Sequence, residues 1–88
     1  MSKPTVSVVI VTYNRFDLVC QAIDSVLGQT YRDFELIVVD NGSTDGSPER
    51  LTRQYGRRIH LVRLHLNQGR SSPRNVGIRE ARGEYVAL

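Results

Sequence analysis

The sequence predicts an α/β domain of three layers, with the element order βαβαβαβ and a mostly parallel sheet. Three observations predict it. Short apolar segments rich in valine and isoleucine alternate with longer segments whose apolar residues recur at helical spacing. The strand-like segments are apolar nearly throughout, as strands covered on both faces are. Two of them end in polar phrases, Val9-Ile10-Val11-Thr12-Tyr13-Asn14 and Val38-Val39-Asp40-Asn41-Gly42-Ser43-Thr44-Asp45-Gly46-Ser47. That puts hydroxyl, amide and carboxylate groups at the carboxyl ends of buried strands, where open α/β sheets bind ligands.

The first strand is expected over residues 6–12. Residues 17–27 follow as a helix, because Leu18, Val19, Ala22, Ile23, Val26 and Leu27 form one apolar stripe. Asn14 is the expected cap of that helix and Gly28 its end. Residues 34–40 read as the second strand. Ser47 is the expected N-cap of a short second helix, with Pro48 in its first position, Leu51 and Tyr55 four apart on one face, and Gly56 closing it. Residues 59–66 alternate as a third strand. Ser72-Pro73 repeats the cap-plus-proline signal, and a third helix is expected to run to about Ala81, before Gly83. Residues 84–88 begin a fourth strand. Right-handed crossovers make such a chain a doubly wound sheet. With the strand order 3-2-1-4, its ligand crevice lies between strands one and four, walled by the ends of strands one, two and four. The chain stops as the fourth strand is completed, with no helix to cover that strand, so a domain truncated after the fourth strand is expected.

At 88 residues, 40% of them hydrophobic and 24% charged, the chain suits one small soluble domain over residues 1–88. Its apolar runs at 8–11 and 36–39 fall far short of the roughly 20 residues that span a bilayer. Lys3 and Pro4 precede a strand-like run with no signal-peptide pattern. The single Cys20 excludes an internal disulfide and fits a cytoplasmic setting. The net charge of +3 hides an asymmetry: residues 1–49 carry three basic and seven acidic side chains, whereas residues 50–88 carry nine arginines and two acids. A basic half can attract nucleic acid, an anionic membrane or a phosphorylated ligand, but the simpler reading is that most of these arginines are solvated helix and turn residues.

The turn after strand one, Thr12-Tyr13-Asn14-Arg15, has no glycine. A dinucleotide fold needs G-x-G-x-x-G there, and a P-loop needs G-x-x-x-x-G-K-[ST]; the sequence contains neither, which argues against a nicotinamide dehydrogenase or a P-loop kinase. In their place stand side chains at strand ends. Tyr13 offers a ring on which a base can stack, and Thr12 a hydroxyl beside it. Asp40 is an acceptor-only carboxylate suited to a base N–H or a ribose hydroxyl. Arg74, near the start of the third helix, carries a planar fork of donors for phosphate or a base carbonyl. Asn67 and Gly69 form the turn into that helix, whose N-terminus favours an anion. Asn14 adds an amide at the end of strand one.

Five segments, in order, resemble the amino-terminal part of a family-2 glycosyltransferase. They are Val8-Val9-Ile10-Val11-Thr12-Tyr13-Asn14, Ile23-Asp24-Ser25-Val26-Leu27-Gly28-Gln29-Thr30, and Phe34-Glu35-Leu36-Ile37-Val38-Val39-Asp40-Asn41-Gly42-Ser43-Thr44-Asp45. Asn67-Gln68-Gly69 with Arg74-Asn75-Val76-Gly77-Ile78, and Gly83-Glu84-Tyr85-Val86-Ala87-Leu88, complete the set. The resemblance implies the nucleotide-binding half of a GT-A, Rossmann-like domain. It implies that Thr12 and Tyr13 hold the base of a nucleotide-sugar donor, a UDP-sugar, that Asp40 bonds the ring N–H, and that Arg74 reaches the nucleotide. Asn14 and Asn67 complete the expected substrate-binding set, while Ser43 and Asp45 shape the turn. Val11 stands where many members have proline, and Ser71-Ser72-Pro73 replaces an alanine-rich helix start.

In the family, the fourth strand runs into an acidic triplet that binds a divalent metal, Mg or Mn, and a later aspartate acts as general base. Neither motif lies within residues 1–88, so the resemblance implies donor recognition here with no catalytic residue and no metal held by this stretch. An inverting transfer to an acceptor hydroxyl is the expected activity of the full-length enzyme, with membrane association of that parent allowed and nucleic acid not a partner. A different class also fits: a self-standing nucleotide-binding or interaction module, self-associating through the exposed fourth strand. A sugar nucleotidyltransferase needs a glycine-rich basic loop after strand one, which Thr12-Tyr13-Asn14-Arg15 does not supply.

The same residues have structural readings. Asp40-Asn41-Gly42-Ser43 fits a tight strand-to-helix turn, Tyr13 a ring packed at the sheet edge, and Arg74 a partner for Glu80. His60 and His65 read as structural or exposed, Cys20 as packing, and Asp17 and Asp24 as surface residues of the first helix.

Overall fold

Residues 36–40 are fully enclosed, and the rest of the domain is arranged around them. The computed structural model describes residues 4–30, 32–67, 69, 71–83 and 85–87. Its elements are β1 (Val6–Thr12), α1 (Phe16–Leu27), β2 (Phe34–Asp40), α2 (Ser47–Tyr55), a 3₁₀ turn (Gly56–Arg58), β3 (His60–Arg63), α3 (Ser71–Glu80) and β4 (Tyr85–Ala87). The four strands form one parallel sheet in the order β3-β2-β1-β4, as the βαβ pattern predicts.

Alternation along β2 divides its side chains between two cores. Leu36 and Val38 pack with Val19 and Ile23 of α1, with Leu51 and Tyr55 of α2, and with Ile59. Ile37 and Val39 pack with Val9 on the other face, beneath α3. Burial of this kind contributes about 25 cal/mol per Å² of apolar surface. α3 can lie flat on its face because Gly77 has no side chain: a Cβ there would sit 2.3 Å from Val9 Cγ1.

Several expected boundaries need correction. Arg15, not Asn14, occupies the N-cap of α1, and its carbonyl accepts from Val19 N–H at 2.9 Å; the Asn14 side chain is directed to another loop. Gly28 ends α1 in a right-handed conformation, with its N–H on Asp24 O at 2.9 Å. The cap of α2 is Gly46, at φ 83°, so Ser47 is the first helical residue. Asp45 then does the capping that Ser47 was expected to do, accepting from Ser47 N–H at 2.9 Å. β3 covers His60–Arg63 rather than 59–66, because Arg63 lies opposite Asp40, the last residue of β2. Leu64 N–H still reaches Asp40 O at 2.9 Å, but further along the chain has no strand to pair with. α3 begins at Ser71, ahead of the expected Ser72-Pro73 start, and stops at Glu80 rather than Ala81. β4 comprises Tyr85–Ala87; Glu84 and Leu88 of the expected strand lie outside the described residues, as does Gln68 of the turn before α3.

β4 pairs with β1 only from Val6 to Val8. The upper part of β1 therefore has no partner on that side among the described residues.

Candidate functional site

A cleft of about 750 Å³ opens beside the unpaired end of β1. Its floor and walls are Ile10, Val11, Thr12 and Tyr13 of β1 and the turn after it, with Leu18, Val19 and Ala22 of α1. Asn41, Asn67, Gly69 and Arg74 close the opposite side. Arg15 lines the first side as well, so apolar side chains and one guanidinium face amides and a second guanidinium, a composition suited to a ligand with a flat apolar part and a charged part.

The sheet register sets Thr12 beside Asp40 on the same face. Both are buried, Thr12 at 6% exposure and Asp40 at 0%. Asp40 Oδ1 accepts from Ser43 N–H at 2.7 Å. Its Oδ2 and the Thr12 hydroxyl are both enclosed with no hydrogen-bond partner among the described residues. Leaving a buried polar atom unmatched costs about 1–3 kcal/mol, and here two paired residues at the carboxyl ends of central strands each carry one. Asp40 lies beneath the rim, so a ligand reaches Oδ2 only if the rim shifts.

Three loops form that rim, and side-chain amides join them. Asn14, at φ 50°, donates its backbone N–H to Ser43 Oγ at 2.8 Å. Its side-chain oxygen accepts from Thr44 N–H at 2.8 Å, and its Nδ2 donates to Thr44 Oγ1 at 3.3 Å. Asn41 Nδ2 donates to Gly69 O at 2.9 Å, which binds the turn before α3 to the turn after β2. Gly42, at φ 88°, makes that contact feasible, since a Cβ there would meet Asn67 N at 2.7 Å. Asp45 is held below the usual carboxylate range chiefly by the Ser47 hydroxyl, and the Ser47 N–H adds to it.

Of the six residues expected to bind substrate, Thr12, Tyr13, Asn67 and Arg74 line the cleft. Asp40 sits directly behind them. Asn14 is outside the wall, with its polar atoms committed to Ser43 and Thr44. Tyr13 is 40% exposed rather than packed away, and Arg74 does not pair with Glu80, which instead meets His60 Nε2 at 3.1 Å. Asp24, expected to be a plain surface residue, accepts from the Tyr55 hydroxyl at 2.8 Å. Sequence reasoning passed over Asn41, although it stands within the Asp-Asn-Gly-Ser phrase; only the tertiary structure brings it against Gly69. The apolar wall from Leu18 and Ala22 was assigned to core packing, and both residues line the cleft.

A larger cleft of about 910 Å³ lies at the opposite, amino-terminal ends of the strands. Its cations are mostly engaged: Arg32 donates to Leu27 O at 3.0 Å, Arg58 to Gln54 O at 3.1 Å, and Arg82 meets Glu35 at 3.4 Å. Two of these bonds neutralise carbonyls at helix C-termini, which is what cations there do. The smaller cleft has the unmatched buried groups and the topological position, and it is the candidate site. Among the described residues, no three His, Cys, Asp or Glu side chains converge to hold a metal ion, so this donor set does not fit a divalent cation. Nor, among them, is any helix long and apolar enough to cross a membrane.

Comparison with known proteins agrees with this architecture. The model of the family "Glycosyl transferase family 2" matches residues 7–88. TuaG of Bacillus subtilis strain 168, named provisionally as a teichuronic acid biosynthesis glycosyltransferase, is 42% identical over 89 residues, covering 98% of this chain and 35% of TuaG. Among solved structures, Staphylococcus aureus TarS superposes with a TM-score of 0.81 at 31% identity, over 93% of this chain and 15% of TarS. The mannosyltransferase PcManGT of Pyrobaculum calidifontis, solved with GDP-Man and Mn²⁺, gives 0.80 at 30% identity, over 98% of this chain and 27% of its own. The chain thus spans about a third or less of each of these proteins.

Proposed function

Because the chain belongs to the family-2 glycosyl transferases and has their GT-A architecture, we propose that its cleft holds the nucleotide of a sugar donor, and that the nucleotide is uridine diphosphate. The observation that carries this reading is the pair of unmatched buried groups, Asp40 Oδ2 and Thr12 Oγ1. Uracil presents one ring N–H between two carbonyls. Its N–H matches the single free oxygen of Asp40, and an adjacent carbonyl matches the Thr12 hydroxyl. Cytosine and adenine offer ring acceptors there, which a carboxylate repels. Tyr13 supplies a stacking face, and Arg74 a charge for the diphosphate. PcManGT was solved with GDP-Man, which makes GDP the competing nucleotide to test.

In the whole protein, this half would position the donor while an acceptor hydroxyl displaces the diphosphate at the anomeric carbon with inversion. A divalent metal, held by residues other than these, would neutralise the departing diphosphate. A cytoplasmic setting goes with this reading and suits the free thiol of Cys20. The exposure of Tyr85, at 66%, and of Val86 favours a second reading, in which β4 pairs with another copy of the chain.

Titrating UDP and GDP into the isotope-labelled chain, with and without Mn²⁺, tests the proposal. Saturable amide shifts at Thr12, Tyr13, Asp40 and Arg74, stronger for UDP and indifferent to metal, are expected. A dispersed spectrum unchanged by either nucleotide overturns the donor reading. A mass that rises with concentration would support association through β4.

A further inference from the structure

We propose that Arg15 is a second ligand-binding cation of the cleft, and that with Arg74 it brackets the diphosphate of the donor. The inference deepens the donor-binding reading above and rests on it. Arg15 and Arg74 are the charged side chains of the lining, which includes no carboxylate among the described residues. Among those residues, neither guanidinium has a hydrogen bond or an ion pair. Outside the cleft, Arg32, Arg50, Arg58, Arg63 and Arg82 each have a carbonyl, an aromatic ring or a carboxylate as partner. Asp40 stands behind the wall, wholly enclosed, with Oδ1 on Ser43 N–H. Two unmatched cations in a lining without an anion favour a ligand with more than one negative charge.

The fold brings the two cations to the cleft from opposite faces of the sheet. Arg15 is the N-cap residue of α1, whose Val19 and Ile23 pack on the face of Leu36 and Val38. Arg74 is the fourth residue of α3, whose Gly77 lies against Val9 and Val39 on the other face. Each helix of a parallel βαβ sheet begins at the carboxyl end of the strands, so both guanidiniums reach the same rim. The backbone carbonyl of Arg15 serves α1, accepting from Val19 N–H, and its exposed side chain is left for a ligand. A diphosphate has two phosphoryl groups, and a guanidinium binds such a group through parallel N–H donors. Arg15 therefore adds to the binding of the diphosphate and not to that of the base, which the reading above gives to Thr12, Tyr13 and Asp40.

Titrating UDP and uridine into the labelled chain and its variants separates the two parts of the ligand. Arg15→Gln is expected to keep the wild-type amide spectrum, to lower UDP affinity about tenfold and to leave uridine affinity unchanged. Arg15→Lys, which keeps the charge, is expected to lose less. Arg79→Gln removes the same charge towards the other end of α3 and is expected to leave the UDP-to-uridine ratio as it is. An unchanged ratio in Arg15→Gln, or an equal fall in Arg79→Gln, overturns the proposal. Inorganic pyrophosphate probes the two cations without a base, and the side-chain Nε–H resonances of Arg15 and Arg74 are expected to shift together and saturate. A wild-type chain that binds neither UDP nor uridine overturns the donor reading. Saturable pyrophosphate shifts would then still support the cation pair, and their absence would overturn it too.

Discussion

Thr12 shows how a single residue can be placed for a ligand at the expense of the fold. It ends a buried strand, where valine would fit the same space, yet its hydroxyl is enclosed without a partner. Thr12→Val removes that unmatched group and is expected to stabilise the chain by about 1 kcal/mol, the lower part of the range for an unsatisfied buried polar atom. The same change is expected to weaken UDP binding. Urea denaturation and the UDP titration measure the two effects, and a destabilised variant would show that the hydroxyl is satisfied in solution. Asp40 carries the same tension, but its other oxygen anchors Ser43 N–H, so no substitution separates its two roles as cleanly.

Between elements, one aromatic residue adds a buried polar bond to the apolar contact of α1 with α2. Tyr55 is buried in the core, and its hydroxyl donates to Asp24 Oδ1 at 2.8 Å on the neighbouring helix. Burial pushes the Tyr55 phenol well above its usual range, and the bond to Asp24 acts in the same direction, so it stays protonated and a donor. Tyr55→Phe keeps the ring and is expected to cost about 1 kcal/mol in chemical denaturation, the usual net value of such a bond. A loss near zero would mean that water replaces the contact. The helix signals were legible in the sequence because apolar spacing is local information. The cap of α2 was misplaced by one residue because Ser47 and Asp45 are both good caps, and the choice between them depends on Gly46 adopting φ 83°.

At the scale of the whole molecule, one polar cluster fastens the last strand to the first two. Ser7 is fully buried in β1; its hydroxyl donates to Glu35 Oε2 at 2.5 Å and accepts from Gly83 N–H at 2.7 Å. Arg82 N–H donates to the same Glu35 oxygen at 2.6 Å. Burial alone would raise the Glu35 pKa, but the Ser7 hydroxyl and the Arg82 backbone and guanidinium together outweigh it, and the carboxyl is held below its ordinary value of 4.5. A lowered carboxylate pKa stabilises the fold when ionised. The contribution is therefore complete above the ordinary value and is lost as pH falls through the folded one. The wild-type denaturation midpoint is expected to drop between pH 5 and pH 3, and Glu35→Gln to flatten that drop; parallel curves would exclude Glu35 as the cause.

What the sequence determined by itself was the alternation of strands and helices and the parallel, doubly wound character of the sheet; the order β3-β2-β1-β4 was expected by analogy with such folds and is the order observed. Those follow from hydrophobic period and the handedness of βαβ crossovers, which act over short stretches of chain. The identity of Thr12, Tyr13, Asp40 and Arg74 as candidates was legible for the same reason, since each stands at the end of a local pattern. Only the tertiary structure decided which atoms remain free. That Asp40 keeps one oxygen unmatched, that Asn14 faces the second loop instead of capping α1, and that Asn41 reaches Gly69 all depend on hydrogen bonds between residues about thirty positions apart. β3 likewise ends where its neighbour ends, not where its own alternation does. Local periodicity carries no information about such partners, because they are selected by the packing of distant loops at one edge of the sheet.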